Sequence, residues 1–278
     1  RATGLGTDAL RAIEVDDRMR MRIDALETAI AHDREHNETP FLLVGTAGTT
    51  GAGAIDPLPE LASVAQREGL WFHVDAAWGG SAALAPSLRS YLSGAEHADS
   101  LTWDAHKWLS IPLGAGMFFT RHPYLLERAF GVETGYIPPT AHGAHDLYKT
   151  SMQWSRRFSG LKLIFALAEH GVDGIGAFVE HQARMGALIR ERLIAEGWRV
   201  LNDSPFPVVC FSHDTLGHSE HQTKRFTEQI LARQLVWISD VRLPHHGWAL
   251  RACVTSFRTD ERDVGVLMDE LRAVIAEG

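Results

Sequence analysis

Short apolar runs alternate with amphipathic segments through the first part of the chain. Residues 18–36 carry apolar side chains at helical spacing and predict an amphipathic helix. The continuous apolar run at 41–44 is typical of a buried parallel strand. A helix is predicted at 58–68, closed by Gly69, and the apolar run at 70–74 predicts the next strand. This strand–helix–strand order predicts two parallel strands that are neighbours or near-neighbours.

The pattern changes after the second strand. Further short strands are predicted at 98–101 and 114–120. Residues 130–150 have no strong period and several glycines and prolines, which is typical of a functional or mobile loop. Helical periodicity returns at 161–195. The last third predicts a strand near 207–212, a helix near 220–234, strands near 236–241 and 248–256, and a helix at 260–277.

Composition is consistent with two globular domains, which we predict at 1–162 and 163–278. The chain has 278 residues, of which 45% are hydrophobic, so it can bury a substantial core. A net charge of −8 with interspersed acids and bases disfavours a nucleic-acid or anionic-membrane partner. No apolar run approaches the ~20 residues of a membrane span. Only two cysteines, Cys210 and Cys253, occur, which predicts a reduced, cytoplasmic setting.

Candidate chemistry follows the predicted strands. One strand leads to Asp75, and another delivers His106 and Lys107. In such sheets, ligands collect at the carboxyl ends of the strands. A lysine that can form an imine and a carboxylate that can hold a pyridinium nitrogen are the minimum equipment of a pyridoxal phosphate (PLP) enzyme. We therefore interpret this edge as a candidate PLP site.

Each of these residues also has an ordinary explanation. Asp75 could cap a turn, and Lys107 could be a surface lysine. The small-residue loop at 45–53 adds weight to the PLP interpretation, because Thr49 and the loop backbone could offer donors near the ring oxygen or the phosphate. Ala77 is predicted to point the same way as Asp75 in an extended strand, where its small side chain would let a ring lie flat.

Four runs resemble the group II PLP-dependent amino-acid decarboxylases, a family that includes the aromatic L-amino-acid, histidine, tyrosine and glutamate decarboxylases. These runs are Thr46-Ala47-Gly48-Thr49-Thr50, His73-Val74-Asp75-Ala76-Ala77-Trp78-Gly79-Gly80, Ala98-Asp99-Ser100 and His106-Lys107-Trp108. The resemblance extends from Arg1 to the C-terminus, and His-Lys-Trp resembles the aromatic and histidine branch more than the glutamate branch. It implies an α/β fold of PLP-dependent transferase fold type I (aspartate-aminotransferase-like), with a mixed central sheet in the large domain and a small α+β C-terminal domain.

The resemblance also implies roles for individual residues. Lys107 matches the lysine that carries PLP as a Schiff base, and Asp75 matches the aspartate on the pyridine nitrogen. Ala77 matches the alanine against the ring, and Thr49 matches a threonine near the ring. His106 matches the histidine beside the lysine, which contacts the cofactor or the substrate and is counted here with the catalytic residues.

Four more positions carry implied roles or departures. Tyr136 falls on the loop tyrosine that returns a proton after CO2 leaves, although it could also be an ordinary surface tyrosine. Ser155 stands where aromatic decarboxylases often have glycine, which suggests a substrate contact in a smaller or more polar pocket. Arg251 matches an arginine that can meet a carboxylate, with a structural ion pair as its alternative. Asp104 replaces an asparagine near the phosphate, where a second negative charge is unfavourable.

The expected activity is decarboxylation of an L-amino acid, aromatic or histidine-like, to the primary amine and CO2. The resemblance implies a homodimer in which the loop at 130–150 serves the neighbouring subunit. One alternative is oxidative decarboxylation and deamination to an aldehyde. Another is an inactive, truncated member that acts as a dimerisation partner, because the family's phosphate-binding loop and ring-stacking histidine match nothing after Arg1. No metal is expected, because the histidines lack an accompanying cysteine pair or a His-Glu-x-x-His helix.

Overall fold

Two four-stranded sheets with flanking helices make up the protein. The computed structural model describes residues 4–132, 135–136, 146–217 and 219–277. The elements are α1 (Ile23–Glu35), β1 (Leu42–Thr46), α2 (Leu58–Glu68), β2 (Trp71–Asp75), β3 (Ser100–Asp104), β4 (Gly116–Thr120), α3 (Leu125–Phe130), α4 (Gly160–Ala195), β5 (Arg199–Val200), β6 (Val208–Ser212), α5 (Glu220–Ala232), β7 (Ser239–Leu243), β8 (Gly247–Cys253) and α6 (Glu261–Glu277). Short 3-10 helices cover Gly79–Leu84, Arg89–Leu92, Ala95–His97, Leu147–Thr150 and Asp214–Leu216.

The first sheet has the strand order β1-β2-β3-β4. The first three strands are parallel, as predicted for β1 and β2, and β4 runs antiparallel to β3. The helix α2 connects β1 to β2 and ends at Gly69, whose φ of 67° gives the left-handed C-cap expected there. One face of this sheet packs into a buried cluster that includes Leu26, Ile30, Leu43, Leu58, Leu61, Val64, Phe72 and Val74.

The second sheet has the order β5-β6-β8-β7, with antiparallel neighbours throughout. Its strand β6 is buried at every position. The sheet shares a core with α4, α5 and α6 that includes Ile189, Leu193, Trp198, Val209, Phe211, Phe226, Ile230, Leu250, Met268 and Leu271. Within α4, Gly171 adopts φ 67° and ψ 172°, so the helix is broken there into two segments.

The two sheets are joined through the loop that follows β1. Asn202 donates a hydrogen bond from Nδ2 to the carbonyl of Ala52 at 2.7 Å, and Ser204 Oγ donates to the carbonyl of Gly53 at 2.7 Å. Both side chains are buried. Because buried polar groups need partners, these bonds fix the loop after β1 against the second half of the chain.

Several predicted boundaries were wrong, including the strand predicted near 236–241, which lies at Ser239–Leu243. The helix predicted at 18–36 begins only at Ile23, because Met19 has a φ of 61° and Asp16 accepts backbone hydrogen bonds in a turn before it. The strand predicted at 98–101 lies at Ser100–Asp104, after a short 3-10 helix. The division between residues 162 and 163 falls in the first turn of α4 and stays a prediction.

Candidate active site

The candidate residues follow the carboxyl ends of three parallel strands. In the sheet register, Thr46 at the end of β1 pairs with Asp75 at the end of β2, and Asp75 pairs with Thr102 in β3. The pairing continues beyond β2, because the amide of Asp104 donates to the carbonyl of Ala77 at 3.1 Å. The segment after Asp75 and the turn that carries Lys107 are therefore adjacent.

Asp75 is half-buried and has an asymmetric environment. Its Oδ1 accepts a hydrogen bond from the amide of Ala77 at 3.0 Å and another from Thr102 Oγ1 at 3.4 Å. Among the described residues no donor is within hydrogen-bonding distance of Oδ2. The carboxylate is thus oriented by one oxygen and can receive a further donor on the other.

The expectation for Ala77 was wrong in one respect. The strand β2 ends at Asp75, so Ala77 lies beyond it and does not continue the strand alternation. The amide of Ala77 contacts the Asp75 carboxylate directly. Ala77 therefore contributes at least a backbone donor that orients Asp75.

Lys107 lies in a turn anchored by buried neighbours. Its amide donates to the carbonyl of Asp104 at 3.1 Å, and both Ala105 and Trp108 are fully buried. The side chain of Lys107 is 34% exposed, and its Nζ lies 3.0 Å from Asp104 Oδ2. Asp104, at the position where the resemblance implies an asparagine, is therefore the ion-pair partner of the candidate lysine.

His106 is fixed by the backbone on the other side of the turn. Its Nδ1 accepts a hydrogen bond from the amide of Ala115 at 3.2 Å, so the ring proton of the neutral form belongs on Nε2. Nε2 lies 3.8 Å from Asp104 Oδ2. His106, Lys107 and Asp104 thus form one polar group at the edge of the sheet.

Thr49 closes the loop that follows β1. Its Oγ1 accepts a hydrogen bond from the amide of Ala54 at 3.1 Å, and its own amide donates to the carbonyl of Ala54 at 2.9 Å. The hydroxyl hydrogen of Thr49 has no acceptor among the described residues. The next residue, Thr50, receives a hydrogen bond on its carbonyl from Arg251 Nε at 2.9 Å. Arg251, on β8, thus reaches the same loop from the second sheet.

The other two predicted residues, Tyr136 and Ser155, make no contact with these groups in the part of the chain that the structure describes. Tyr136 is 77% exposed, and Ser155 is exposed in the segment before α4. The predicted loop at 130–150 is described only in part, since residues 133–134 and 137–145 lie outside the described residues. Roles for Tyr136 and Ser155 stay predictions.

One set of polar residues near Asp75 escaped the sequence interpretation. His73, Ser100 and Thr102 share the sheet face of Asp75 and connect to it by hydrogen bonds. The alternation of polar residues in β2 and β3 is the signal that could have revealed them. Their link depends on the register between strands about 27 residues apart, which the sequence alone does not specify.

A match to a family model decides what kind of site this is. Residues 1–214 match the model described as the pyridoxal-dependent decarboxylase conserved domain. The chain belongs to this family. The expected family is therefore confirmed. The site fits a pyridoxal group, because Asp75 Oδ2 has no donor among the described residues and can accept a hydrogen bond from a pyridine N–H.

Individual relatives of this chain differ in the substrate that they name. Histidine decarboxylase of Rattus norvegicus is 38% identical over 177 residues, which cover 63% of this chain and 27% of that protein. Aspartate 1-decarboxylase of Aliivibrio fischeri is 44% identical over 161 residues, covering 58% and 28%. The crystal structure of Catharanthus roseus tryptophan decarboxylase with L-tryptophan superposes with a TM-score of 0.88 at 25% identity, covering all of this chain and 58% of that one.

These similarities confirm the expected fold class, an α/β fold with a mixed parallel and antiparallel sheet. The chain spans between about a quarter and three-fifths of the length of these relatives. Among the described residues, no helix is long and apolar enough to cross a membrane, and no three metal-ligating side chains converge on one point.

Proposed function

We propose that this protein catalyses the PLP-dependent decarboxylation of an L-amino acid to the primary amine and CO2. The observation that carries the proposal is that the Asp75 carboxylate and the amine of Lys107 lie on adjoining segments of one sheet edge. Only Oδ1 of Asp75 accepts hydrogen bonds from the described residues, so Oδ2 is left for a further donor. When bound, PLP supplies an electron sink for the pair left at Cα as the carboxylate departs.

The residues around the edge have complementary tasks in this proposal. Asp75 Oδ2 would accept the pyridine N–H and so favour the protonated ring, and Lys107 Nζ would hold the cofactor at its aldehyde group. Ala77 leaves space against the ring. Thr49 has a hydroxyl hydrogen to donate to a ring or phosphate oxygen, because its Oγ1 already accepts from Ala54. His106 presents an Nε2–H to the cofactor or to the substrate carboxylate.

We propose Tyr136 as the acid that returns a proton to Cα. A phenol suits this task only where water is excluded, because water would otherwise compete as the proton donor. Tyr136 is 77% exposed in the isolated chain, so its loop must be covered before the reaction. A second subunit is the cover that we propose.

The proposed homodimer would use the first segment of α4. Exposed apolar side chains lie on and beside this segment: Leu161, Ile164 and Phe165 at helical spacing within it, Phe158 just before the helix begins, and Val172 just after the break at Gly171. Such a stripe is typical of an association surface. Light scattering should give twice the chain mass for the wild type, and Phe165→Asp should shift the mass towards the monomer; a monomeric wild type would contradict the proposal.

For the substrate we propose an aromatic amino acid or histidine, supported by His106-Lys107-Trp108 and by Ser155. Arg251 could meet a carboxylate with the guanidinium nitrogens that do not bind Thr50. The relatives name substrates as different as histidine, aspartate and tryptophan, so the substrate test must include acidic amino acids. We also propose a cytoplasmic location, supported by the unpaired state of Cys210 and Cys253.

Product analysis tests the function directly. The protein is supplied with PLP and incubated with each common amino acid separately, and products are identified by mass spectrometry. Conversion of one amino acid to its amine is expected in the wild type, with no turnover in Lys107→Ala. Asp75→Asn should retain PLP weakly and lose most turnover. An aldehyde product would move the assignment to the oxidative reaction, and an inactive wild type that binds no PLP would refute both.

A further inference from the structure

A row of hydrogen-bonded side chains leads along one face of the first sheet to Asp75. Trp71 and His73 alternate with Asp75 on β2, and Ser100 and Thr102 occupy the same face of β3. The register sets His73 beside Ser100 and Asp75 beside Thr102. Because side chains two residues apart in a strand share a face, these five residues form a continuous polar row.

The two ends of the row together fix the direction of its bonds, because an indole N–H can only donate and an ionised carboxylate can only accept. An indole N–H can only donate, so Ser100 Oγ must accept from Trp71 Nε1 at 2.8 Å. The Ser100 hydroxyl then has a proton to give to His73 Nδ1, 2.7 Å away. With Nδ1 accepting, the neutral ring carries its proton on Nε2.

The carboxylate end requires that tautomer, because the single hydroxyl hydrogen of Thr102 goes to Asp75 and Thr102 Oγ1 can then only accept from His73. His73 Nε2 donates to Thr102 Oγ1 at 3.5 Å, and the Thr102 hydroxyl donates to Asp75 Oδ1 at 3.4 Å. Each hydroxyl therefore accepts one hydrogen bond and donates one. The row ends on the oxygen of Asp75 that also receives the amide of Ala77.

A neutral His73 is consistent with its surroundings. Burial lowers the pKa of His73, and the charge of Asp75 opposes that shift only in part. Phe118 stacks beside the ring with a centroid distance of 6.4 Å. An uncharged histidine between a phenylalanine and two hydroxyl groups acts as a fixed hydrogen-bond link and not as a counter-ion.

We propose that His73 and Thr102 are positioning residues that lock Asp75 Oδ1 and thereby aim Oδ2 at the pyridine nitrogen. The inference rests on the proposed function, because it assigns Asp75 to that nitrogen. A carboxylate held by directed donors on one oxygen loses rotational freedom before the ligand arrives, which lowers the entropic cost of binding. The row thus preorganises the residue on which the electron sink depends.

Substitution of Thr102 tests the last link. Thr102→Val removes the hydroxyl at nearly constant shape and should weaken PLP binding about tenfold, as expected when a charged acceptor loses one donor. Thr102→Ser keeps the hydroxyl and should restore the affinity to within about twofold. Thr46→Val is the matched control, since Thr46 flanks Asp75 on the other side in β1 and makes no bond to it. Affinity is read by fluorescence titration, and urea midpoints identify variants with a damaged fold.

The tautomer of His73 tests the first links without any cofactor. Histidine labelled with ¹⁵N, with the His73 signals assigned by His73→Gln, should give the Nε2–H form in the ligand-free wild type. Ser100→Ala should produce a mixture of tautomers. His181, whose Nε2 donates to the carbonyl of Thr259 at 2.7 Å, should remain in its Nε2–H form in both proteins. An Nδ1–H form of His73 in the wild type would overturn the proposal.

The outcomes separate the two proposals. A wild type that binds no PLP contradicts the proposed function, and with it the positioning role. A wild type that binds PLP with an affinity unchanged by Thr102→Val contradicts the positioning role alone.

Discussion

The two sheets of this protein differ in how they are covered. In the second sheet, β6 is buried at all five positions, because Val209 and Phe211 face the helix-lined core and Val208 and Cys210 pack against the loop that follows β1. In the first sheet, β1 alternates buried and exposed positions, and Leu42 and Val44 remain more than 40% exposed beside the polar row that leads to Asp75. Packing therefore concentrates stability in the second sheet, while hydrogen bonds and charges on an open face define the candidate site in the first.

The largest expected difference between the two sheets is in the reactivity of their thiols. Burial raises the pKa of Cys210 to about 12, so at pH 8 only about one molecule in ten thousand carries the thiolate there. Burial also raises the pKa of Cys253. A cysteine introduced by Val44→Cys on the open face should react more than about a thousand times faster than Cys210.

Ellman's reagent at pH 8 measures this contrast. The wild type should give no fast phase, the Val44→Cys variant should give one fast equivalent, and all thiols should react once urea unfolds the chain. A fast equivalent in the wild type would mean that the second sheet opens readily, and the contrast between the sheets would fail.

A matched pair of phenylalanines tests the packing itself. Phe211 in β6 is fully buried, whereas Phe118 in β4 is 48% exposed. Phe211→Ala should cost about 3–5 kcal/mol of unfolding free energy, because it removes a core ring and leaves a cavity. Phe118→Ala should cost less than about 1 kcal/mol. Urea midpoints with an unchanged m-value measure both, and similar losses in the two variants would refute the comparison.

The predictable parts of the molecule are those that depend on local signals. The end of α2 at Gly69 and the parallel order of β1 and β2 follow from a C-cap and from a helix between two apolar runs. The positions of Asp75 and Lys107 at one sheet edge follow from the same order. The bond from His73 through Thr102 to Asp75 depends on inter-strand register, so no local pattern specifies it.

The two halves of the chain also differ in how they stabilise a buried carboxylate. Glu270 in α6 is paired with Arg233, whereas Asp56 before α2 accepts hydrogen bonds from the amides of Met21 and Thr46, each at 2.8 Å. In Asp56→Asn, the side-chain amide would face one of those backbone N–H groups. We expect a loss of about 1–3 kcal/mol at pH 7, the usual cost of a buried donor without an acceptor.

The pH dependence of that loss has a defined sign. Burial raises the pKa of Asp56 above its ordinary value despite its two amide donors. Between these two values, the folded chain holds a proton that the unfolded chain has released, so the contribution to stability is full at lower pH and declines as pH rises. The wild type should therefore lose part of its advantage over Asp56→Asn as the pH rises above the ordinary aspartate pKa of about 4. A growing advantage in urea titrations would contradict this.

The smallest expected effect concerns the charge beside Lys107. Asp104 Oδ2 lies 3.0 Å from Lys107 Nζ at the edge where the proposed cofactor brings an anionic phosphate. Asp104→Asn removes one negative charge but keeps an oxygen that can accept from the amine, so PLP should bind about three- to tenfold more tightly at low salt. The gain should shrink as salt is added, and Asp17→Asn, on the exposed N-terminal segment, should leave affinity unchanged. Weaker binding in Asp104→Asn would instead mean that the Asp104 carboxylate is needed to orient Lys107, so that ion-pair geometry, and not net charge, governs this edge of the open sheet.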